Sequence, residues 1–144
     1  MSAQGCYRTA LALPNVTPDT VQAASEVNQN MAKALEDFDP VRFTQLNREF
    51  HFILYEHCGD PHLYSLITNE WSRLDVIRRA SFALAPGRAR ASVVEHEALL
   101  NLLSDGRNFD AVEAAARQHK LNSLQAVHVH EASARSAAAQ DRTA

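Results

Sequence analysis

The sequence predicts an all-α fold, and three observations support this class. Apolar residues recur along most of the chain at the three-and-four spacing of an amphipathic helix. Helix start and stop signals punctuate the sequence from end to end. No stretch alternates polar and apolar residues over more than a few positions, so strands are not expected.

The helix boundaries follow from capping residues and breakers. Thr17 precedes Pro18 and Asp39 precedes Pro40, and a capping side chain followed by proline is typical of a helix N-terminus. Asn108 is the expected cap of the last helix. Turns are expected at Gly59-Asp60-Pro61, Ala85-Pro86-Gly87 and Asp105-Gly106. The predicted helices span 18 to about 38, 40 to about 57, 62 to about 84, 88 to about 103, and 109 to about 132.

The chain is expected to form one domain. Its 144 residues, 46% of them hydrophobic, are enough for a single core. Residues 1–13 read as the remnant of a first helix, and residues 14–132 read as the domain itself. Residues 133–144 are small and polar and are expected to form a flexible tail.

Composition narrows the functional class. Lysine and arginine number 14 against 17 acidic residues, and the net charge of −3 gives no nucleic-acid-binding signature. Cys6 and Cys58 match no metal or disulfide pattern, which favours a reducing, cytoplasmic setting. Neither a membrane-spanning run nor a signal peptide is recognisable. A cytoplasmic protein without membrane association is therefore expected.

Three histidines stand on the apolar seams of three different predicted helices. They are His51 in LNREFHFIL, His96 in SVVEHEALLNLL and His119 in VEAAARQHKLN. Asn47 lies one turn before His51 and on the same side of the helix. A buried neutral imidazole needs a hydrogen-bond partner, so three that point inward indicate a shared polar cavity suited to a metal. A single such histidine is more often a satisfied core residue, and spacing alone leaves both interpretations open.

Polar residues beside these seams are candidates for ligand binding. Arg78 lies at the edge of the apolar stripe of the third predicted helix. A half-buried arginine needs an anion, and guanidinium pairs bidentately with carboxylate. Asn122 is on the same side of the last helix as His119. Arg73, Arg88 and Arg90 are expected on a solvated face.

Several segments resemble one protein family in their order and spacing. They are ALPNVTPDTVQAASEVNQNM, LNREFHFILYEHCGDPHLYSLI, WSRLDVIRRAS, APGR and SVVEHEALLNLLSDGRNFDAVEAAARQHKLNSL. The first shared feature is a Phe-His pair with a polar residue four positions before its histidine. The others, in order, are an Asp-Pro helix start, a helix that contains tryptophan and arginine, a Glu-His pair, a glycine turn and a final histidine. Over about residues 7–127 the chain resembles the FCD effector-binding domain of GntR-type transcription regulators.

This resemblance implies an antiparallel helical bundle around a central metal and effector cavity. In many members an aspartate and three histidines bind a divalent metal, and a small carboxylate completes its coordination and switches DNA binding by a winged-helix domain. Carried over, the ligands are His51, His96 and His119, with Asn47 where the family usually has aspartate. A neutral amide is a weaker ligand and leaves the site one charge more positive. No winged helix precedes the domain, so the sequence reads either as a fragment of a longer regulator or as a free-standing sensor.

The sequence therefore predicts a metal-dependent sensor of small organic acids that is not an enzyme. Zinc or nickel is the expected metal, Arg78 and Asn122 are the expected effector contacts, and a homodimer is expected. DNA would be contacted only through a winged-helix domain outside this chain. Two alternatives stay open: a three-histidine hydrolase or lyase with Glu97 or Glu49 as its base, and a metal-free helical interaction module.

Overall fold

The computed structural model describes residues 3–84, 86–106 and 108–142, with side chains over 7–73, 87–106 and 108–142. Over these residues the chain forms six α-helices, two 3₁₀-helices and no strand, which confirms the all-α prediction. The α-helices are α1 (Ala3–Leu11), α2 (Pro18–Glu36), α3 (Pro40–Tyr55), α4 (Pro61–Leu84), α5 (Pro86–Asp105) and α6 (Phe109–Asp141). The 3₁₀-helices are Leu13–Asn15 and Glu56–Cys58.

The predicted capping residues begin their helices. The Thr17 hydroxyl accepts from the backbone N–H of Thr20, whose hydroxyl accepts in turn from the backbone N–H of Thr17. The side chains of Asp39 and Asn108 each accept from the backbone N–H three residues further on. These contacts satisfy donors that have no partner within the helix.

A short 3₁₀ turn connects α3 to α4. After Tyr55 the chain narrows to a 3₁₀ turn that ends at Gly59, whose φ of 77° lies in the left-handed region that glycine tolerates. One carboxylate oxygen of Asp60 then accepts from the backbone N–H groups of His62 and Leu63, which caps α4.

Two helix ends differ from the sequence-based expectation. α5 begins at Pro86 rather than at Arg88, because proline in a first helical turn needs no N–H donor there. α6 continues to Asp141 rather than ending near Ala132. It is long, but neither α6 nor any other helix in the described part of the chain is apolar enough over sufficient length to cross a membrane.

The helices pack so that three apolar seams converge. α2 packs against α3 and α5, and α6 packs against α1 and α5. The main core is built from their inward faces and includes Met31, Leu46, Phe50, Leu54, Leu99, Leu100, Leu103, Val112 and Ala116. A smaller cluster of Tyr55, Ile67 and Trp71 joins α3 to α4. The site described below lies where these two clusters meet.

Candidate metal centre

The three seam histidines come together in the interior. His51 on α3, His96 on α5 and His119 on α6 are 4%, 0% and 7% exposed. One potential ligand atom from each lies within 4.8 Å of the other two. The prediction that they share one buried location is therefore confirmed.

Aromatic side chains border this triad. Phe50 stacks on His96 with ring centres 3.9 Å apart and planes 7° from parallel. The rings of Trp71 and Tyr55 lie 5.2 and 5.9 Å from the His51 ring. These rings restrict the rotation of the imidazoles and keep water away from them.

Asn28 on α2 determines which nitrogen of His96 carries the proton. Its amide nitrogen donates to the carbonyl of Val93 at 2.9 Å, and its amide oxygen lies 3.1 Å from His96 Nδ1. The backbone carbonyl can only accept, which fixes the orientation of the amide. The amide oxygen also only accepts, so His96 carries its proton on Nδ1 and a lone pair on Nε2.

Glu95 determines the tautomer of His119 in the same way. Its carboxylate lies 2.5 Å from His119 Nδ1 and also accepts from Arg88 and, at 2.8 Å, from the Asn122 amide. Arg88 lies 3.2 Å from the same Nδ1, but the shorter contact with an acceptor-only carboxylate requires a proton there. His119 therefore presents a lone pair at Nε2. A carboxylate behind an imidazole is the arrangement that orients metal-binding histidines.

The electrostatics keep both rings neutral. Burial lowers the pKa of His96 well below its usual range, and the nearby charge of a protonated His119 would add to this. Burial also lowers the pKa of His119, although its hydrogen bond to Glu95 acts in the opposite direction. Burial alone would raise the pKa of Glu95, but hydrogen bonds from Arg88, His119 and Asn122 outweigh it and hold that pKa well below its usual range. At neutral pH His96 and His119 are neutral and Glu95 is ionised.

The two unprotonated nitrogens face each other. His96 Nε2 and His119 Nε2 are 3.2 Å apart, and with both protons on Nδ1 neither can donate to the other. Two lone pairs at this distance repel unless a positive charge lies between them. Two nitrogens bound at about 2.0–2.1 Å to one tetrahedral ion lie about 3.3 Å apart. The pair is therefore spaced as metal ligands are, and the His51 ring lies close enough to join them.

The structure describes the side chains of two of the three other predicted site residues. Asn47 is half-buried on α3, one turn before His51. Asn122 contacts Glu95 rather than the histidines, and its amide oxygen accepts from a neighbouring α6 side chain at 2.7 Å. The side chain of Arg78 lies outside the described residues. The ligand role of Asn47 and the effector roles of Arg78 and Asn122 stay predictions.

Arg88 corrects the expectation of a solvated face. Its side chain is 13% exposed, it pairs with Glu95, and it donates to the Ser123 hydroxyl at 3.3 Å. Arg88 and Glu95 are two turns apart on one side of α5, and α6 covers that side. Arg73 and Arg90 are exposed, as expected.

A second cation, Lys120, borders the site from α6. Its ammonium group donates to the Tyr55 hydroxyl at 3.0 Å and lies 5.6 Å from the ring centres of both Tyr55 and Trp71. Because these rings also contact His51, Lys120 is one side chain away from the triad.

Sequence reasoning missed Asn28, Lys120 and the role of Glu95. Asn28 interrupts an apolar stripe of α2 between Val27 and Met31, which is the same signal that revealed the histidines. Glu95 and Lys120 gave no comparable signal, because their roles depend on which helix packs opposite them.

The fold and the buried triad define an all-α domain with three histidines gathered in its interior. The FCD domain family matches residues 6–123, most of the chain, and the chain therefore belongs to the FCD domain family. This confirms the resemblance seen in the sequence. FCD domains are the regulatory, effector-binding domains of GntR-family regulators. Neither the curated proteins nor the solved structures gave a significant match.

Proposed function

We propose that this domain senses small organic acids through a bound divalent metal and thereby controls DNA binding by a GntR-type regulator. The observation that supports the metal is the facing pair of unprotonated Nε2 atoms on His96 and His119. Asn28 and Glu95 hold the protons on the opposite nitrogens. A divalent cation satisfies this donor pair, since metal binding requires imidazoles that are neutral.

The proposed ligands are His51, His96 and His119, with Asn47 as the fourth. The metal, zinc or nickel, would supply a fixed positive charge that attracts an anion. Glu95 is committed to Nδ1 of His119, on the other side of that ring from Nε2. With only neutral ligands, the full charge of the metal is left for an anion to balance.

A small carboxylate such as lactate, malate or citrate matches that requirement. Lys120 adds a second positive group beside the triad, and no carboxylate in the described part of the chain forms an ion pair with it. Arg78 and Asn122 are the further effector contacts that we propose. Lysine and arginine recognise carboxylates through charge-assisted hydrogen bonds.

DNA would be bound by a winged-helix domain outside these 144 residues, within a homodimeric regulator. A dimer suits this role because operators for such proteins consist of two symmetry-related half-sites. The effector would shift the equilibrium between two arrangements of the helices only as far as it binds one of them better.

The two alternative functions lack a supporting observation. Glu49 and Glu97, the carboxylates considered as a catalytic base, are both exposed, and a base must reach the reacting group. A metal-free interaction module would give no reason for two neutral histidines to face each other through their lone pairs.

Metal analysis tests the proposal. Wild-type protein loaded with zinc or nickel at pH 7.5 and then desalted should retain about one equivalent of metal. His96→Ala should lose it, whereas His128→Ala, which alters an exposed histidine on α6, should retain it. Folded wild-type protein without stoichiometric metal, or equal retention by His96→Ala, would refute the metal site.

A further inference from the structure

Three polar side chains follow one another at helical spacing along α3. Asn47, His51 and Tyr55 are four residues apart in turn, so they lie on the same side of the helix. The rings of His51 and Tyr55 are stacked, with centres 5.9 Å apart. Tyr55 is fully buried, and its hydroxyl accepts from the ammonium group of Lys120 at 3.0 Å. Tyr55 and Lys120 therefore form a polar pair one helical turn from His51.

The hydroxyl of Tyr55 has a hydrogen left to donate. An ammonium group can only donate, so in its contact with Lys120 the Tyr55 oxygen accepts and its own hydrogen is not used. Among the described residues, this hydroxyl makes no further hydrogen bond. A buried hydroxyl is costly without a full set of partners, and an acceptor for this hydrogen is therefore expected from outside the described chain.

The ammonium group of Lys120 also has more donors than acceptors. It carries three hydrogens, and within the described part of the chain it donates only to Tyr55 and forms no ion pair with a carboxylate. Its other neighbours are the faces of the Tyr55 and Trp71 rings. A carboxylate, which only accepts and has two oxygens, complements this pair of donors in both charge and hydrogen bonding.

We propose that Tyr55 and Lys120 bind the second carboxylate of a short dicarboxylic acid whose first carboxylate completes the coordination of the metal. This inference rests on the proposed function and narrows its effector class. His51 and Tyr55 are one helical turn apart, about 5.4 Å along α3, a separation that a small diacid such as malate spans. A monocarboxylate such as lactate would reach the metal but leave the donors of Tyr55 and Lys120 without an acceptor.

The test uses pairs of acids that differ only in the second carboxylate. Malate is lactate with one added carboxylate, and succinate is propionate with one added carboxylate. Calorimetric titration of the zinc-loaded chain at pH 7.5 should show that each diacid binds about 10–100-fold more tightly than its partner. Equal affinities within both pairs would overturn this inference and leave the proposed function standing. If none of the four acids binds the zinc-loaded chain, both are contradicted.

Variants of the two residues test their role in selectivity. Lys120→Met should weaken malate binding at least about tenfold, and Tyr55→Phe, which removes one oxygen, should weaken it about tenfold. Neither variant should change the affinity for lactate or the zinc content. The matched controls are Lys33→Met, at an exposed lysine of α2, and Tyr64→Phe, at a half-buried tyrosine of α4, and both should keep the preference for malate.

Two results with these variants would overturn the inference. One is a preference for malate that survives in Lys120→Met and Tyr55→Phe. The other is an equal loss of lactate and malate affinity, since that would indicate a structural role of the pair. If Lys120→Met does not fold, as judged by circular dichroism, Tyr55→Phe decides.

Discussion

Asn28→Leu tests whether Asn28 holds the proton of His96 on Nδ1, as the proposed metal site requires. Asn28 is buried, and its amide bonds both the Val93 carbonyl and the imidazole of His96. Leucine has a similar volume but neither donates nor accepts, so both groups lose their partner. Nothing then holds the proton of His96 on Nδ1, and the ring is free to move it to Nε2, the nitrogen that faces His119.

The expected magnitudes follow from these two hydrogen bonds. Removing a group that orients a metal-binding histidine typically lowers metal affinity by about 10–100-fold, or about 1.4–2.7 kcal/mol. In the metal-free protein the two lost hydrogen bonds are each worth about 1 kcal/mol, and burial of the leucine side chain offsets part of that loss. We expect the free energy of unfolding of the metal-free protein to fall by about 1–2 kcal/mol.

Two measurements check this. Nitrogen chemical shifts of the imidazole should show the Nδ1–H tautomer of His96 in metal-free wild-type protein and the Nε2–H tautomer in Asn28→Leu. Competition with a chromophoric chelator should show the loss of zinc affinity. Asn30→Leu, at an exposed position of the same helix, should change neither. A wild-type His96 with its proton on Nε2, or unaltered zinc affinity in Asn28→Leu, would refute the reasoning.

Three further predictions concern protonation, the fourth ligand and the effector. Burial lowers the pKa values of His96 and His119 below those of unfolded histidine, so the unfolded chain takes up protons first as the pH falls. The free energy of unfolding of metal-free protein, measured in urea, should therefore be fully present above about pH 6.5 and decline towards pH 5. The decline should be up to about 1.4 kcal/mol per pH unit for each ring. A stability that is flat or rises over this range contradicts it. Asn47→Asp should raise zinc affinity by about tenfold or more and Asn47→Leu should lower it, and unchanged affinity in both would place Asn47 away from the metal. A saturating organic acid, at about 100 times its Kd, should stabilise metal-loaded protein by about 2.7 kcal/mol. Lys120→Gln should remove most of this gain in stability without loss of metal. Arg90→Gln, the control at an exposed position, should keep the gain. A gain that persists after the metal is chelated would place the acid elsewhere.

The helices were predictable because their signals are local. Caps such as Thr17 and Asp39 act on donors three residues away, and the sequence displays both partners. The sequence-based prediction ends α6 too early, because it rests only on the small and polar character of residues 133–141. Four of these nine residues are alanine, the strongest helix former, and the stretch contains neither glycine nor proline.

The sequence predicts only those site residues that interrupt the apolar face of a helix. A polar residue inside an apolar stripe marked the three histidines, and the same rule would have marked Asn28. The environment of Arg88 could not be read in this way, because its burial comes from α6, whose Ser123 and His119 lie more than thirty residues away in the chain. Packing between residues so far apart in the chain produces no periodic pattern in the sequence.

The proton arrangement would link metal binding at the proposed site to the packing of four helices. Asn28 ties α2 to α5 through His96, and Glu95 ties α5 to α6 through His119, while His51 approaches from α3. Without a metal, these contacts hold the lone pairs of His96 Nε2 and His119 Nε2 close together. Their repulsion falls either when α5 and α6 move apart or when a cation lies between them. A metal would favour the close arrangement, and an acid bound to that metal would favour it further only if it prefers that packing. The histidine tautomers are therefore part of the switch that we propose, because a ring that could move its proton to Nε2 would form a hydrogen bond across the gap and remove the need for a cation.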